Sequence, residues 1–109
     1  MVVAVEKASL PEPRKRLIEL MQRINFGRIE GLVIEAGQPQ LHPHPRVVRE
    51  VKFGGENGPR PELGTNDFLL KSQVVELFQR FDQMRDGTID VIEIKHGLPF
   101  RMIVTEAAA

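Results

Sequence analysis

Two of the three histidines stand one residue apart and are candidate metal ligands. His42 and His44 flank Pro43, and alternate residues of an extended segment project to the same side. Neutral imidazole suits Zn, Ni or Cu, so this pair could form part of a metal site. His96 lies in the other half of the chain, and nothing in the spacing brings it to the pair. The alternative interpretation places the histidines on an exposed proline-rich loop and an exposed turn, and we predict no resident cofactor.

The dipeptide Gln-Arg occurs twice in a helical context, as Gln22-Arg23 and Gln79-Arg80. If a two-fold axis relates the two occurrences, the two guanidiniums form a pair that can clamp a carboxylate or a phosphate. A structural role accounts for the same residues. An arginine in the last turn of a helix offsets the negative end of the helix dipole, and a glutamate lies four residues before each arginine. The structural role is favoured, and a small anionic ligand is the alternative.

Basic residues of the first half could bind nucleic acid. They are Arg14, Lys15 and Arg16 on the first predicted helix, with Arg46, Arg49 and Lys52 on a predicted strand. Against this function stand a formal net charge of zero and the lack of Trp and Tyr for base stacking. A run of three basic residues is also typical of a solvated helix face. Nucleic-acid binding is therefore an alternative function.

The sequence lacks the common signatures of enzymes. It contains no nucleophile elbow, P-loop, dinucleotide fingerprint or HExxH motif. The absence of cysteine excludes disulfides, thiolate metal sites and cysteine nucleophiles. The acidic residues Asp82, Asp86, Asp90 and Glu93 do not have the spacing of a calcium loop, which favours a solvated surface. We predict that the protein is not an enzyme.

An internal repeat carries these candidate residues. The segment at 19–24 recurs at 76–81 with an offset of 57, and the segment at 27–39 recurs at 87–99 with an offset of 60. The three extra residues are predicted to fall between the helix and the hairpin of the second copy, because connecting segments tolerate insertions best.

Each copy is predicted to be a helix followed by a β-hairpin that turns on glycine. Apolar residues form one stripe on each helix: Leu17, Leu20, Met21 and Ile24, and then Leu70, Val74, Leu77, Phe78 and Phe81. The predicted strands are 29–34, 40–42, 47–53, 89–94 and 100–105. Gly37 and Gly97 fall at the hairpin turns, where a positive φ is expected.

The ends of the helices also carry recognisable signals. Residues 9–12 have the S-x-x-E form of a capping box, and Asn66 or Asp67 is predicted to cap the second helix. Gly27 and Gly87 are predicted to end the helices, because glycine readily adopts the left-handed conformation common at helix ends.

A unit of about 40–50 residues buries too little apolar surface to fold easily alone. We therefore predict one domain over residues 1–109, in which repeat 1 (about 10–53) and repeat 2 (about 65–106) share a core. A Gly/Pro-rich loop at 54–64 joins them. The predicted fold class is α+β: two tandem helix–hairpin repeats pack about a pseudo-two-fold axis, with two helices against a mostly antiparallel sheet.

Composition indicates a globular, cytoplasmic protein. The chain is 41% hydrophobic and 28% charged, and no apolar run approaches the roughly 18 residues of a membrane span. The missing cysteines favour a reducing compartment. Residues 1–53 carry nine Lys/Arg against six Asp/Glu, while residues 54–109 carry six against nine. This charge asymmetry favours docking of the halves on each other, or reciprocal docking in a homodimer.

The first copy combines a junction of sequence NFGRI at 25–29, a hairpin turned on Gly37 and a basic-apolar segment at 46–51. In these features it resembles the YezD-like family of very small, uncharacterised bacterial proteins. The resemblance covers residues 17–53, and it extends more loosely to 74–105, where no aromatic residue precedes the equivalent glycine. It implies a bacterial, cytoplasmic protein of unknown function, and it assigns no catalytic residue.

Together these patterns predict a small non-enzymatic interaction or assembly module whose partner is another protein or a second copy of itself. Two alternatives stay open. One is a nucleic-acid-binding regulator that uses the basic residues of the first half. The other is a binder of a small anionic ligand or a metal at the interface of the repeats.

Overall fold

The computed structural model describes residues 7–43, 45–54 and 71–106. Over these residues the elements are α1 (Glu12–Ile24), β1 (Gly27–Glu35), β2 (Gln38–Gln40), β3 (Arg46–Arg49), α2 (Ser72–Met84), β4 (Gly87–Lys95) and β5 (Leu98–Ile103), after a 3-10 turn at Lys7–Ser9. The strands form one antiparallel sheet in the order β2–β1–β4–β5, and β3 also pairs with β1. The predicted α+β class, with two helices against a mostly antiparallel sheet, is confirmed.

The core lies between the helices and one face of the sheet. Its buried members are Leu17, Ile18, Met21 and Ile24 of α1, Val74, Leu77, Phe78 and Phe81 of α2, and Ile29, Leu32, Ile34, Ile89, Ile92 and Ile94 of the central strands. The helix stripes predicted from spacing therefore supply most of the helical core. Leu20 is only partly buried, and Leu70 lies outside the described residues. Neither helix is long and apolar enough to cross a bilayer.

The two helices correspond at an offset of 60, so the offset of 57 inferred from sequence is wrong. Both have 13 residues, and α2 begins and ends 60 positions after α1. The buried pairs Leu17/Leu77 and Met21/Phe81 have the same spacing. Residues 82–84, predicted to belong to a lengthened junction, form the last turn of α2. A stripe that repeats every three or four residues matches itself after a shift of three, which explains the error.

The N-terminal caps differ from those predicted. Pro11 is at the N-cap of α1, where the capping box at 9–12 would place Ser9, and the Pro11 side chain makes no capping hydrogen bond. Helix α2 begins after Lys71 at its N-cap. The predicted caps Asn66 and Asp67 lie outside the described residues.

The C-terminal caps lie two residues before the predicted glycines. Asn25 and Arg85 follow the last helical residues with φ of 62° and 63°. The positive φ is therefore found at these residues, but their ψ of −58° and −65° differs from the left-handed helical conformation expected at Gly27 and Gly87. Gly27 meets a different requirement. A Cβ at this position would stand 2.1 Å from the carbonyl oxygen of Val48 on β3, so its glycine allows two strands to approach closely.

Both hairpins turn through two residues with positive φ. These are Ala36 and Gly37 in the first hairpin, and His96 and Gly97 in the second. The pattern is that of a type I′ turn, whose twist suits a two-residue hairpin. The predicted positive φ at both glycines is confirmed. The additional strand is shorter than the predicted 47–53, because pairing stops at Arg49.

Strands β1 and β4 pair along most of their length. Gly27 lies opposite Ile94, and Ile34 lies opposite Gly87. Moving each residue to its equivalent 60 positions away turns the first pair into the second. A two-fold axis between β1 and β4 would require this exchange of equivalent residues. The register therefore supports the pseudo-two-fold axis, which stays a prediction.

Candidate functional site

Each hairpin turn is tied to the helix end of the other repeat, and this creates two corners. At the first corner, the N–H of Gly37 donates to the carbonyl of Arg85 at 2.8 Å. At the second corner, the N–H of Gly97 donates to the carbonyl of Asn25 at 2.9 Å. The backbone contacts are equivalent at an offset of 60, but the side chains around them are not.

The first corner is closed by side chains of both repeats. Asp86 Oδ1 accepts a hydrogen bond from the N–H of Ala36 at 3.0 Å. Arg14 Nη2 donates to the carbonyl of Gly37 at 2.9 Å and to Asp82 Oδ1 at 2.5 Å. The Arg14 side chain is 11% exposed. Its guanidinium is therefore engaged inside this corner, which removes it from the predicted nucleic-acid surface.

The second corner lacks these carboxylates. At an offset of 60, Phe26 stands where the first corner has Asp86, and Gln22 stands where it has Asp82. The Phe26 ring meets the His96 ring edge to face, with 4.8 Å between centroids. Lys52 Nζ lies 4.7 Å from the centroid of the same aromatic ring. Gln22 is buried, and its Oε1 has no hydrogen-bond partner among the described residues.

An open groove of about 760 Å³ lies beside the second corner. Its lining includes Phe26 and His96, the cations Arg28, Lys52 and Lys95, and the carboxylates Glu50 and Glu93. Residues of both repeats therefore form the groove. It combines an aromatic wall with a mixed, predominantly cationic rim.

Away from the helices, the other side of the sheet, called here the outer face, carries rows of alternating charge. Arg28 lies opposite Glu93 on β4, and Glu93 lies opposite Arg101 on β5. Arg101 binds both carboxylate oxygens of Glu93, at 2.7 and 3.0 Å. In the next row, Glu30 Oε2 accepts from Arg28 Nε at 2.7 Å, and Glu30 Oε1 lies 3.3 Å from Arg46 Nε.

These pairs keep the outer-face carboxylates ionised. The hydrogen bond from Arg28 is the main cause of the lowered pKa of Glu30, and the one from Arg101 has the same effect on the pKa of Glu93. Glu93 in turn raises the pKa of Arg101. Because the arginines are exposed to water and Glu30 and Glu93 are only partly buried, the pairs contribute more to the charge pattern than to folding stability.

Apolar side chains lie among the charges of the outer face. Val33 falls between two buried residues of β1, which turns it away from the core, and it is 38% exposed. Ile103 is 44% exposed and lies opposite Val91. Both belong to the same row across the strands as Glu30 and Arg46. The outer face thus alternates Arg, Glu and branched apolar residues.

The predicted Gln-Arg pairs do not occupy equivalent positions. At the corrected offset, Arg23 corresponds to Gln83, and Arg80 corresponds to Leu20. Gln22 is buried, whereas Arg23, Gln79 and Arg80 are exposed. The symmetric pair of Arg23 and Arg80 was inferred from the incorrect helical offset, and the corrected offset no longer supports it.

The remaining predicted site residues are dispersed. Lys15 and Arg16 lie on α1, and Arg16 pairs with Glu12 at 3.4 Å. Arg46 and Arg49 project from opposite faces of β3, since they are three residues apart in one strand. Only Lys52 reaches the groove. His42 is exposed, His44 lies outside the described residues, and the described part of the chain contains no cluster of three metal-ligating side chains.

Phe26, His96 and Lys95 were not recognised as site residues from sequence. The sequence shows that no aromatic residue precedes Gly87 as Phe26 precedes Gly27, but only the structure shows that Asp86 at this position binds a hairpin turn. Comparison of the chain with family models, curated proteins and solved structures gives no match. The YezD-like resemblance therefore stays a prediction.

Proposed function

We propose that the protein is a small non-enzymatic assembly module of the bacterial cytoplasm, which forms a homodimer through its outer face. The observation that supports this most directly is the alternation of charge across the strands. A surface that carries both signs in regular rows is complementary to a second copy of itself. The absence of a net charge on the chain fits such self-association better than binding to nucleic acid.

The row Arg28–Glu93–Arg101 supports a particular arrangement. A two-fold axis along the strands, between β1 and β4, would set Arg28 of one copy opposite Glu93 of the other, and the reverse. The branched side chains Val91 and Ile103 would then be covered. Burial of such apolar groups supplies affinity, whereas the charged pairs chiefly fix the orientation.

The test is the molar mass over a concentration series, measured by light scattering after size exclusion. We expect the mass to approach twice the 12.4 kDa of the chain. Ile103→Asp should weaken the dimer about tenfold or more, because it buries an unpaired charge in the interface. Val47→Asp is the matched control: Val47 is 43% exposed, against 44% for Ile103, but it points to the opposite face of the sheet.

Either of two results would contradict the proposal. One is a mass of a single chain at every concentration. The other is an equal loss of dimer in Ile103→Asp and Val47→Asp, which would place the interface elsewhere. Retardation of the wild-type protein on nucleic acid at low salt, lost as salt rises, would instead favour the nucleic-acid alternative.

A further inference from the structure

We propose that the groove at the second corner binds a small carboxylate, which takes the place that Asp86 holds at the first corner. This ligand site adjoins the proposed dimer interface, because Arg28 and Glu93 line the groove and also belong to the outer face. The first corner shows the chemistry directly, because there a carboxylate oxygen of the protein accepts from the amide of the turn residue Ala36 at 3.0 Å.

The equivalent amide at the second corner belongs to His96. The residue equivalent to Asp86 is Phe26, whose side chain has no acceptor. Among the described residues, the N–H of His96 has no hydrogen-bond acceptor. The turn therefore presents a donor without the carboxylate that satisfies its counterpart, and an external carboxylate can accept from it.

The charges of the groove fit the same ligand. Lys52 holds its ammonium 4.7 Å from the Phe26 ring centroid, and Lys95 and Arg28 also line the groove. Of the two carboxylates in the lining, Glu93 is bound by Arg101 through both oxygens. Arg28 is in turn bound by Glu30 at 2.7 Å, and Lys52 Nζ lies 3.9 Å from Glu50 Oε1. These pairs leave Lys95 as the cation in excess, and an anionic ligand balances its charge.

Access and shape agree with a small ligand. The volume of about 760 Å³ exceeds what a short carboxylic acid needs, and the groove is open to solvent. The first corner has no room for such a molecule, because Arg14, Asp82 and Asp86 fill it. One repeat thus carries its own carboxylate, and the other leaves that position to a ligand.

The experiment is a titration of the ¹⁵N-labelled full chain with succinate, followed through the amide resonances. We expect saturable shifts at His96 and Gly97, with smaller shifts at Ala36 and Gly37. Sodium chloride at matched ionic strength should leave the His96 resonance nearly unchanged. Equal shifts with chloride would overturn the proposal, and tighter binding of inorganic phosphate than of succinate would overturn the choice of a carboxylate.

Three variants sharpen the test. The double variant Lys52→Gln/Lys95→Gln should weaken succinate binding about tenfold, since each exposed cation contributes up to about fivefold. Lys71→Gln, an exposed lysine at the start of α2, is the matched control and should leave the affinity unchanged. Phe26→Asp places a carboxylate where the first corner has one, and it should abolish the succinate-dependent shift of His96.

Each variant result is decisive. Unchanged affinity in the double lysine variant would overturn the proposal even if Phe26→Asp failed to fold. Repeating the titration on Ile103→Asp tests the groove without the dimer, because this variant disrupts the proposed interface and Ile103 is not part of the lining. We expect succinate binding to be kept or strengthened, since Arg28 and Glu93 are then not covered by a second copy. Loss of binding in Ile103→Asp would overturn the proposal that a single chain forms the site.

Discussion

The two corners share one backbone arrangement and differ in how it is completed. In each, a turn glycine donates to the carbonyl of a helix C-cap residue with positive φ. At the first corner, Arg14, Asp82 and Asp86 complete the contact through three hydrogen bonds, two of which join a side chain to the turn backbone. At the second corner an aromatic residue and a lysine border an open groove. The same fold thus supports a closed, stabilising corner and an open one with free volume for a ligand.

The first and largest test of this contrast uses the glycines that begin the two central strands. Gly27→Ala should destabilise the protein by about 3 kcal/mol, because its Cβ would stand 2.1 Å from the Val48 carbonyl oxygen and 3.0 Å from Arg49 Cα. At the equivalent position Gly87, a Cβ meets only the Met84 side chain, at 3.3 Å.

Urea unfolding of both alanine variants measures this difference. Gly87→Ala should stay within about 0.5 kcal/mol of the wild type, since the flexible Met84 side chain can move aside. Equal losses of unfolding free energy in Gly27→Ala and Gly87→Ala would contradict this contrast. They would show that the close approach of β3 to Gly27 does not distinguish the second corner from the first.

The second test removes the guanidinium that closes the first corner. Arg14→Gln should cost about 2 kcal/mol, because the buried bond to the Gly37 carbonyl and the partly buried bond to Asp82 are lost together. The Asp82 side chain is 60% exposed, so its charge can be hydrated after the change, which limits the loss.

Arg16→Gln, two residues along the same helix, is the control. Its partner Glu12 is one turn away at 3.4 Å, and both side chains are more than half exposed. This pair should contribute only about 0.3–0.5 kcal/mol. A similar effect of both substitutions on the urea midpoint would mean that Arg14 does not hold the first corner closed.

The elements of this fold follow from local signals, whereas the corners depend on contacts between repeats. The hairpins were predictable because Gly37 and Gly97 mark the turns, and the helices because their apolar stripes are regular. The offset between the two helices was not predictable, since an apolar stripe matches itself after a shift of three residues. That error hid the correspondence between Gln22 and Asp82.

The contacts of the candidate site join residues that are far apart in sequence, and no spacing between residues predicts them. Arg14 belongs to a basic run that is typical of a solvated surface, yet its partner Asp82 lies 68 positions later in sequence. The charges of the outer face are likewise joined by strand register, as in Arg28 opposite Glu93. Register follows from the assembled sheet, and so these contacts could not be read from the sequence.

The smallest expected effect, opposite in sign, concerns the two helix C-caps. Arg85 has φ of 63° and ψ of −65°, a conformation unfavourable for a residue with a Cβ, and its side chain is exposed. Arg85→Gly should therefore stabilise the protein by about 0.5–1 kcal/mol, provided that the carbonyl still accepts from Gly37.

Asn25 has nearly the same angles, with φ of 62° and ψ of −58°, but its side chain is buried at the second corner. Asparagine tolerates positive φ better than arginine does, so glycine relieves less strain there and also removes a buried side chain. Asn25→Gly should consequently be neutral or destabilising in thermal unfolding. Stabilisation of both variants by the same amount would mean that backbone strain alone governs the caps. A gain confined to Arg85→Gly would show that the side-chain environment, and not the shared backbone, distinguishes the two corners.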